Sequence, residues 1–546
     1  MNIETDILII GGGGAATRAA IEAAKNQLKV TMVIKGKFPS GSTVIAMGSM
    51  AAVIRDDDTP DLFYKDIIEG GYHLNNKELA RILANESKTA YEDLVTFGTE
   101  FQASKKGALY ISQPSGMTRS RALLSIDHMF MKGLIAEVKN APIDIYENIM
   151  IIELLKENDT IVGAVGFNYL TGEFIVISAK AIVLATGGSG QIFQLTSNPQ
   201  EATGDGYAMG LNIGAELIDM EFTQAMTCVV FPIEIRGLAP PFDGFVKYGA
   251  KFYNGLNERY MEKYEPEKME NVTRDVACIC GYKEIQAGNA CPNGGVLLDI
   301  SSIPWSVMKN LMPKIYHAYD NLGIDASKTG IEWAPGCHHE MGGLRINGKC
   351  ETTVKGLFAA GEVTGGVHGA NRLGGNSLTE TQVFGKIAGK SAANFALNAR
   401  RLQLSPEIIE EKRKNLFTIY NRTKGIDHVE IREKLKQMMS ENVWIIKSEK
   451  KLKIAIKSLN ELRNNASLNL KLRKKTYKDL KEAWETLNML EVAQVLTCAS
   501  LLRTESRGAH YREDYPEKDD ENWLKNIIFY KKVNKLKWYI NSNDPI

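Results

Sequence analysis

The chain has 546 residues, with 66 Lys and Arg against 65 Asp and Glu, a formal net charge of +1, 44% hydrophobic and 24% charged residues. That length allows about three domains and at least one large core, and the composition is that of an ordinary globular protein. Near-zero charge excludes the basic footprint that nucleic-acid phosphates require, and no apolar run approaches the roughly 18–20 residues of a membrane span.

In chain order, the N-terminus MNIETDILIIGGGG carries Glu4 and Asp6 and no cationic lead-in, so no signal peptide is expected. Thr5–Ile10 reads as an apolar strand, Gly11–Gly14 as a turn, Ala15–Lys25 as an Ala-rich helix and Lys29–Ile34 as a second strand. This is the order of a dinucleotide-binding βαβ unit. A second glycine cluster follows an apolar strand within Ala181–Gly190, and a third lies within Gly356–Gly385. Between them, about 225–345, the pattern turns irregular and richer in Tyr, Cys and Pro, as in an inserted domain. From about 401 to 500 the chain is rich in Lys, Arg, Glu and Leu at helical spacing, which predicts a helical bundle with solvated charged faces. The seven cysteines are odd in number and scattered, so they argue for free thiols in a reducing, cytoplasmic setting. Cys278-x-Cys280 followed by Cys291 lacks the spacing of an iron–sulfur site.

Gly11-x-Gly13-x-x-Ala16 places each small residue where a pyrophosphate site needs it. The first allows the tight turn, the second lets phosphate approach the backbone, and the third lets the helix pack on the strand. The helix N-terminus then offers free N–H groups to the phosphates. At the end of the second strand, where an acid usually takes ribose hydroxyls, stands Lys35. Lysine cannot accept those hydrogen bonds. Either other groups hold the ribose or Lys35 reaches a phosphate, which disfavours NAD and leaves FAD.

The stretches GGGGAA (11–16), STVIAMG (42–48), ATGGSGQIF (185–193), TGDG (203–206), MGG (341–343), LFAAGEVTGGVHGANRLGGNSL (357–378) and ESRGAHYREDYPEKDDENWLK (505–525) carry a resemblance that spans nearly the whole chain. It resembles the flavoprotein subunit of fumarate reductase and succinate dehydrogenase, a family that includes L-aspartate oxidase and the adenylylsulfate reductase flavoprotein. The resemblance implies an α/β fold: a Rossmann-like FAD-binding domain in two parts (1–224 and 346–400), an inserted α+β capping domain (225–345) and a C-terminal helical domain (401–546). It implies pyrophosphate contacts at Gly11, Gly12, Gly13, Gly14, Ala15 and Ala16, and an adenosine region near Lys35. Ser42, Thr43 and Gly48 would lie by the isoalloxazine, with Ala185, Thr186, Gly187, Asp205, Glu362, Asn376, Ser377 and Leu378 as further FAD contacts. Membrane-bound members link the flavin covalently to a His at the position of Ser42, so FAD is expected to be non-covalent here, with a lean toward the reductive direction.

For the chemistry, the resemblance implies Arg274 of TRD as the proton-transfer group, His338 as a carboxylate-binding His and Arg372 of GANRLG as the substrate clamp. Arg236 matches a relay Arg. Cys337, His339 and His368 are read as structural, although His339 and Glu340 could face the site. Two departures concern the substrate. Met226 stands where the family has a His, and Ile233 stands at a Glu position that Glu234 could fill only by a one-residue shift. Each lost charge-assisted partner is worth roughly 1.5–3 kcal/mol. The expected function is therefore that of an FAD-dependent oxidoreductase, the catalytic flavoprotein subunit of a soluble fumarate reductase/succinate dehydrogenase-type complex, with hydride transfer between flavin N5 and an unsaturated dicarboxylate and Arg274 as proton donor. With no cluster motif and no C-x-x-C-H in the chain, an iron–sulfur electron-transfer subunit is the expected partner. The alternatives are reduction of adenylylsulfate or of another unsaturated acid, and a non-catalytic electron-transfer role; aspartate oxidation is less expected.

Overall fold

The computed structural model describes residues 1–46, 49–103, 107–126, 129–533 and 535–542, so Gly48 lies outside the described residues. Its centre is a five-stranded sheet in the order Leu357–Ala359, Ala181–Leu184, Ile7–Ile10, Val30–Val33, Ile143–Tyr146. Every neighbouring pair is parallel, with Ile7 in register with both Ala181 and Val30. Such a strand is buried on both faces, which explains why ILII shows no polar alternation. The chain leaves Ile7–Ile10 toward Val30–Val33 on one side and later returns to Ala181–Leu184 on the other. The carboxyl ends of Ile7–Ile10 and Ala181–Leu184 therefore flank a topological switch point, where open α/β sheets bind ligands.

The predicted helix runs Gly14–Ala24 and packs against the long helix Asn376–Asn398. Small residues allow that approach: a Cβ on Gly389 would lie 2.3 Å from the Ala19 carbonyl oxygen. A largely antiparallel sheet of Asn2–Glu4, Phe174–Ser178, Thr160–Asn168 and Ile149–Glu157 adjoins this domain.

The inserted domain is built on the antiparallel strands Thr223–Phe231, Ile331–Glu340, Val296–Asp299 and Lys251–Tyr253. Helix Arg274–Gln286 lies across the first two strands, and fully buried Trp333 packs with Phe252 at the centre of this core. Four of the cysteines sit here in buried positions, Cys228, Cys278, Cys280 and Cys337, and all seven are free. Among the described residues, no cysteine joins a group of three or more side chains close enough to hold a metal ion.

The last region is helical through Pro406–Asn421, His428–Asn442, Glu449–Asn469 and Tyr477–Leu502. The expectation of a helical domain to residue 546 needs correction at its end. Lys525–Lys532 and Lys535–Ser542 form an antiparallel hairpin that pairs with Leu217–Ile218. Gly343–Arg345, placed in the cap by a boundary at 345, and Thr364–Gly365 complete that sheet. The β-branched and aromatic run explains the hairpin, because pairing there buries Ile527, Ile528 and Phe529. Among the described residues, no helix is long and apolar enough to cross a membrane.

A fully buried ionic chain ties this end of the molecule to the core. Arg503 meets Glu221 at 2.6 Å and Glu505 at 2.9 Å, and Arg507 meets Glu505 at 2.7 Å. Removing one member leaves the others uncompensated in a dry interior. Arg503→Met is therefore expected to destabilise the fold by about 3–5 kcal/mol, read as a lowered denaturant midpoint relative to wild type. An unchanged midpoint would show that the chain contributes no net stability.

Candidate active site

A cleft of about 1420 Å³ opens at the switch point and runs beneath the cap. It exceeds the ~300–1,000 Å³ of pockets for drug-sized ligands and suits a dinucleotide together with a small substrate. Its wall includes Gly11, Gly12, Gly13, Gly14 and Ala15, then Lys35, Ser42, Thr43, Ala185, Thr186, Gly187, Asp205, Glu362, Ser377 and Leu378. Ala16 lies beneath this wall, fully buried. Asn376 is also buried and off the wall, with its Oδ1 unpartnered.

The wall fits FAD by its backbone. Three helices, Gly14–Ala24, Asp205–Ile213 and Asn376–Asn398, begin after the glycines Gly13, Gly204 and Gly375, and none has a side-chain cap. Their first N–H groups are thus largely left for a ligand, apart from Gly14 N–H, which donates to Thr43 Oγ1 at 3.2 Å, and Asn376 N–H, which donates to the Leu373 carbonyl at 3.3 Å. Gly187 sits at φ +73° with open space where a Cβ would be, and the buried Thr186 hydroxyl lacks a partner. These are the features of a surface shaped for polar atoms of a bound group.

Lys35 does not reach toward a phosphate, one of the two expectations for it. Its ammonium binds Asp205 at 2.6 Å and Glu485 at 2.8 Å, and donates to Thr203 Oγ1 and the Glu201 carbonyl, both at 2.8 Å. Asn488 donates to the other Asp205 oxygen at 2.8 Å. Glu485 and Asn488 come from helix Tyr477–Leu502, a contribution that no local pattern could reveal. With four acceptors around its ammonium, Lys35 orients Asp205 at the cleft wall.

At the other end of the cleft lie Arg274, His338 and Arg372. Arg274 opens helix Arg274–Gln286, His338 stands on strand Ile331–Glu340, and Arg372 lies in the loop before Asn376–Asn398. Three stretches far apart in sequence thus meet at one cleft. Arg372 donates to Gln224 Oε1 at 2.9 Å and to the Leu373 carbonyl at 3.1 Å, while its Nε has no partner. Gln224 in turn donates to Asn371 and to the Arg372 carbonyl, fixing the guanidinium in place. Burial and the neighbouring Arg274 push Arg372 below the usual guanidinium range, against the pull of Glu362 and Glu380. That is the mark of a buried cation awaiting an anion.

His338 Nδ1 lies 2.8 Å from Ser197 Oγ, and Asn198 donates to the His338 carbonyl at 2.9 Å. Burial, Arg372 and Arg274 hold its imidazole well below the ordinary range, so it is neutral. Gln224, Ser197 and Asn198 carry no signal in the sequence; only their side-chain partners identify them.

Met226 is buried on the cleft wall, where it presents an apolar thioether. Ile233 is 64% exposed and Glu234 is exposed too, and neither lines the cleft, so a one-residue shift does not restore a carboxylate there. Arg236 is exposed at the rim, with Nη1 3.4 Å from the Val230 carbonyl. His339 does reach the cleft, beside Glu362.

The Lys35 cluster yields a pH prediction. Despite burial, Lys35, Lys481 and Arg432 hold the Glu485 carboxyl down at about 2, from an ordinary 4.5. A depressed acid stabilises the fold above its unfolded value and loses that contribution as pH falls through the folded one. The window here is about pH 4.5 to 2, with a contribution on the order of 3 kcal/mol. Lys35→Met should lower the denaturant midpoint at pH 7 and flatten its fall in that window. Parallel acid limbs in the two proteins would refute the assignment.

Comparison with known proteins places these features in a family. Residues 6–378 match the family described as FAD binding domain, and residues 432–544 match the one described as fumarate reductase flavoprotein C-term. An uncharacterised FAD-dependent oxidoreductase of Methanocaldococcus jannaschii is 41% identical, over 96% of each chain. A fumarate reductase (CoM/CoB) subunit of Methanothermobacter marburgensis is 38% identical, over 97% of this chain and 98% of that one. The FrdA chain of E. coli quinol fumarate reductase superposes with a TM-score of 0.91 at 28% identity, over 99% of this chain and 97% of that one. FAD is thus the cofactor, and the chain belongs to the fumarate reductase/succinate dehydrogenase flavoprotein family of FAD-dependent oxidoreductases.

Proposed function

We propose that this chain is the catalytic flavoprotein subunit of a fumarate reductase-type complex that reduces a small unsaturated dicarboxylate, with electrons from a separate iron–sulfur protein. The observation that carries this reading is the pairing of two guanidiniums, Arg274 and Arg372, with neutral His338 at one end of the FAD cleft. Relatives named as fumarate reductase subunits support the substrate class and the role as one subunit of a larger enzyme.

Arg372 binds one carboxylate, since its planar fork suits a bidentate partner and Gln224 prevents it from turning away. The same charge draws electron density from the double bond toward that carboxylate. Bound FAD supplies two electrons as a hydride equivalent. Arg274 then donates a proton to the other carbon. A guanidinium is a poor acid toward water, but a developing carbanion is a far stronger base than water. His338, held by Ser197, donates or accepts a hydrogen bond at the substrate without adding charge. Arg236 at the rim is the group through which Arg274 regains its proton from solvent. Direct attachment of FAD is absent from this reading, because Ser42 offers only a hydroxyl.

Met226 favours one second reading, in which the substrate is a different unsaturated acid with a less polar end. Adenylylsulfate reduction rests only on a structural likeness at 23% identity, which speaks to fold alone.

Anaerobic stopped-flow mixing of the reduced holoprotein with fumarate tests the proposal. Rapid flavin reoxidation is expected, slowed at least ~10²-fold in Arg274→Lys. Reoxidation by another enoate but not by fumarate would select the second reading, equal rates in the variant would remove Arg274 as the proton donor, and no reoxidation by any enoate would leave a non-catalytic role. Acid precipitation should release all flavin to the supernatant; colour retained in the pellet would overturn non-covalent binding.

A further inference from the structure

Beside the cationic pocket lies a second buried set of titratable groups that the substrate chemistry leaves unused. His339 and Glu340 end strand Ile331–Glu340, Glu362 follows strand Leu357–Ala359, and His368 and Glu380 come from the loop and helix beyond. His339, Glu340, His368 and Glu380 are at most 4% exposed, and Glu362 opens with His339 onto the FAD cleft. Glu362 Oε1 accepts from Glu340 N–H at 3.1 Å and lies 3.5 Å from His339 Nδ1. The His339 and His368 rings meet edge to face at 5.5 Å, and His368 Nε2 lies 3.0 Å from Glu380 Oε2. Ser189 binds both oxygens of Glu340, and Tyr207 donates to the Glu362 carbonyl at 2.7 Å. His339 Nε2 and His368 Nδ1 have no partner. The cations bearing on this set are Arg372 and, beyond it, Arg274; His338 is neutral.

Three carboxylates and two imidazoles in one dry space, with two ring nitrogens unclaimed, have room for another proton. We infer that the His339–Glu362 pair takes up one proton each time the FAD in the adjoining cleft is reduced. In balance, oxidised FAD gains two electrons and one proton to become its reduced anion, and a second proton enters the pair from solvent. The electrons come from the iron–sulfur donor in the complex and from dithionite in the test. The cause is electrostatic: a new negative charge in a low-dielectric site raises the proton affinity of every neighbour. Burial holds His339 well below the usual imidazole range, so it is neutral before reduction, and burial with Glu340 pushes Glu362 up to about 8. Both move upward when the charge arrives, so the pair gains a proton and does not lose one. The inference depends on FAD binding and not on the substrate.

Potentiometric titration of the holoprotein above pH 8, where Glu362 is ionised before reduction, counts protons per two electrons. Two protons are expected in wild type, a hundredfold change in the reduction equilibrium per pH unit, or about 60 mV at about 30 mV per tenfold. One proton is expected in His339→Gln and in Glu362→Gln, which keeps the bond from Glu340 N–H. If both variants lose FAD, proton uptake by wild type during dithionite reduction, read with an indicator dye, still decides the matter. One proton in wild type, or two in either variant, overturns the proposal. So does a stoichiometric divalent metal in the purified protein that disappears in His339→Gln, because the His339, His368 and Glu380 ligand atoms lie within 4.8 Å of one another.

Discussion

The ion pair of Lys35 with Asp205 and Glu485 joins the three parts of the polypeptide that must meet for the cofactor cleft to exist. Lys35 lies just beyond the strand Val30–Val33 of the parallel sheet, Asp205 opens a short helix on the cleft wall, and Glu485 stands on a long helix of the C-terminal region. A buried ammonium cannot be left without anions, and two buried carboxylates cannot be left without cations. The requirement is mutual, so the helical region is held against the sheet at the nucleotide end of the cleft. The Arg503–Glu221–Glu505–Arg507 chain enforces the same docking at another point. Charge burial, more than shape alone, dictates how these distant segments assemble.

The cleft is electrostatically divided. Its far end presents the guanidiniums of Arg274 and Arg372 beside neutral His338, while Glu362 and His339 on the adjoining wall are backed by the buried Glu340, Glu380 and His368. Such separation is unstable in a low-dielectric site and is relieved by ligands of the complementary sign. On the proposed readings, carboxylates relieve the first end and protons the second. A reductase of unsaturated acids needs both, since each turnover adds two electrons and two protons to its substrate.

Much of this was legible in the residues. ILII before GGGGAA announced a buried parallel strand and a phosphate turn, because a strand covered on both faces must be apolar throughout and phosphate must approach bare backbone. GANRLGGNSL and CHHEMGG located Arg372 and His338. The roles of Lys35 and His339 were not legible. Lys35 sits where ribose contacts usually lie, and only its partners from the C-terminal helix explain it. His339 looked structural, and only its position at the cleft beside Glu362 changes that. The Lys525–Ser542 hairpin was hidden by its helical neighbours, since its pairing strand Leu217–Ile218 lies far back in the chain.

The sequence by itself determined the local pieces: strand periodicity, the glycine turns and the identity of the cofactor. These follow from near-neighbour sterics and side-chain chemistry, which a linear string records. Tertiary structure decided which charges meet. It paired Lys35 with Glu485, set Gln224 beneath Arg372, put Ile233 and Glu234 outside the cleft, and gathered five titratable groups beside the FAD. Burial and charge pairing are properties of packed space, and residues far apart in the chain acquire them only when the chain has folded.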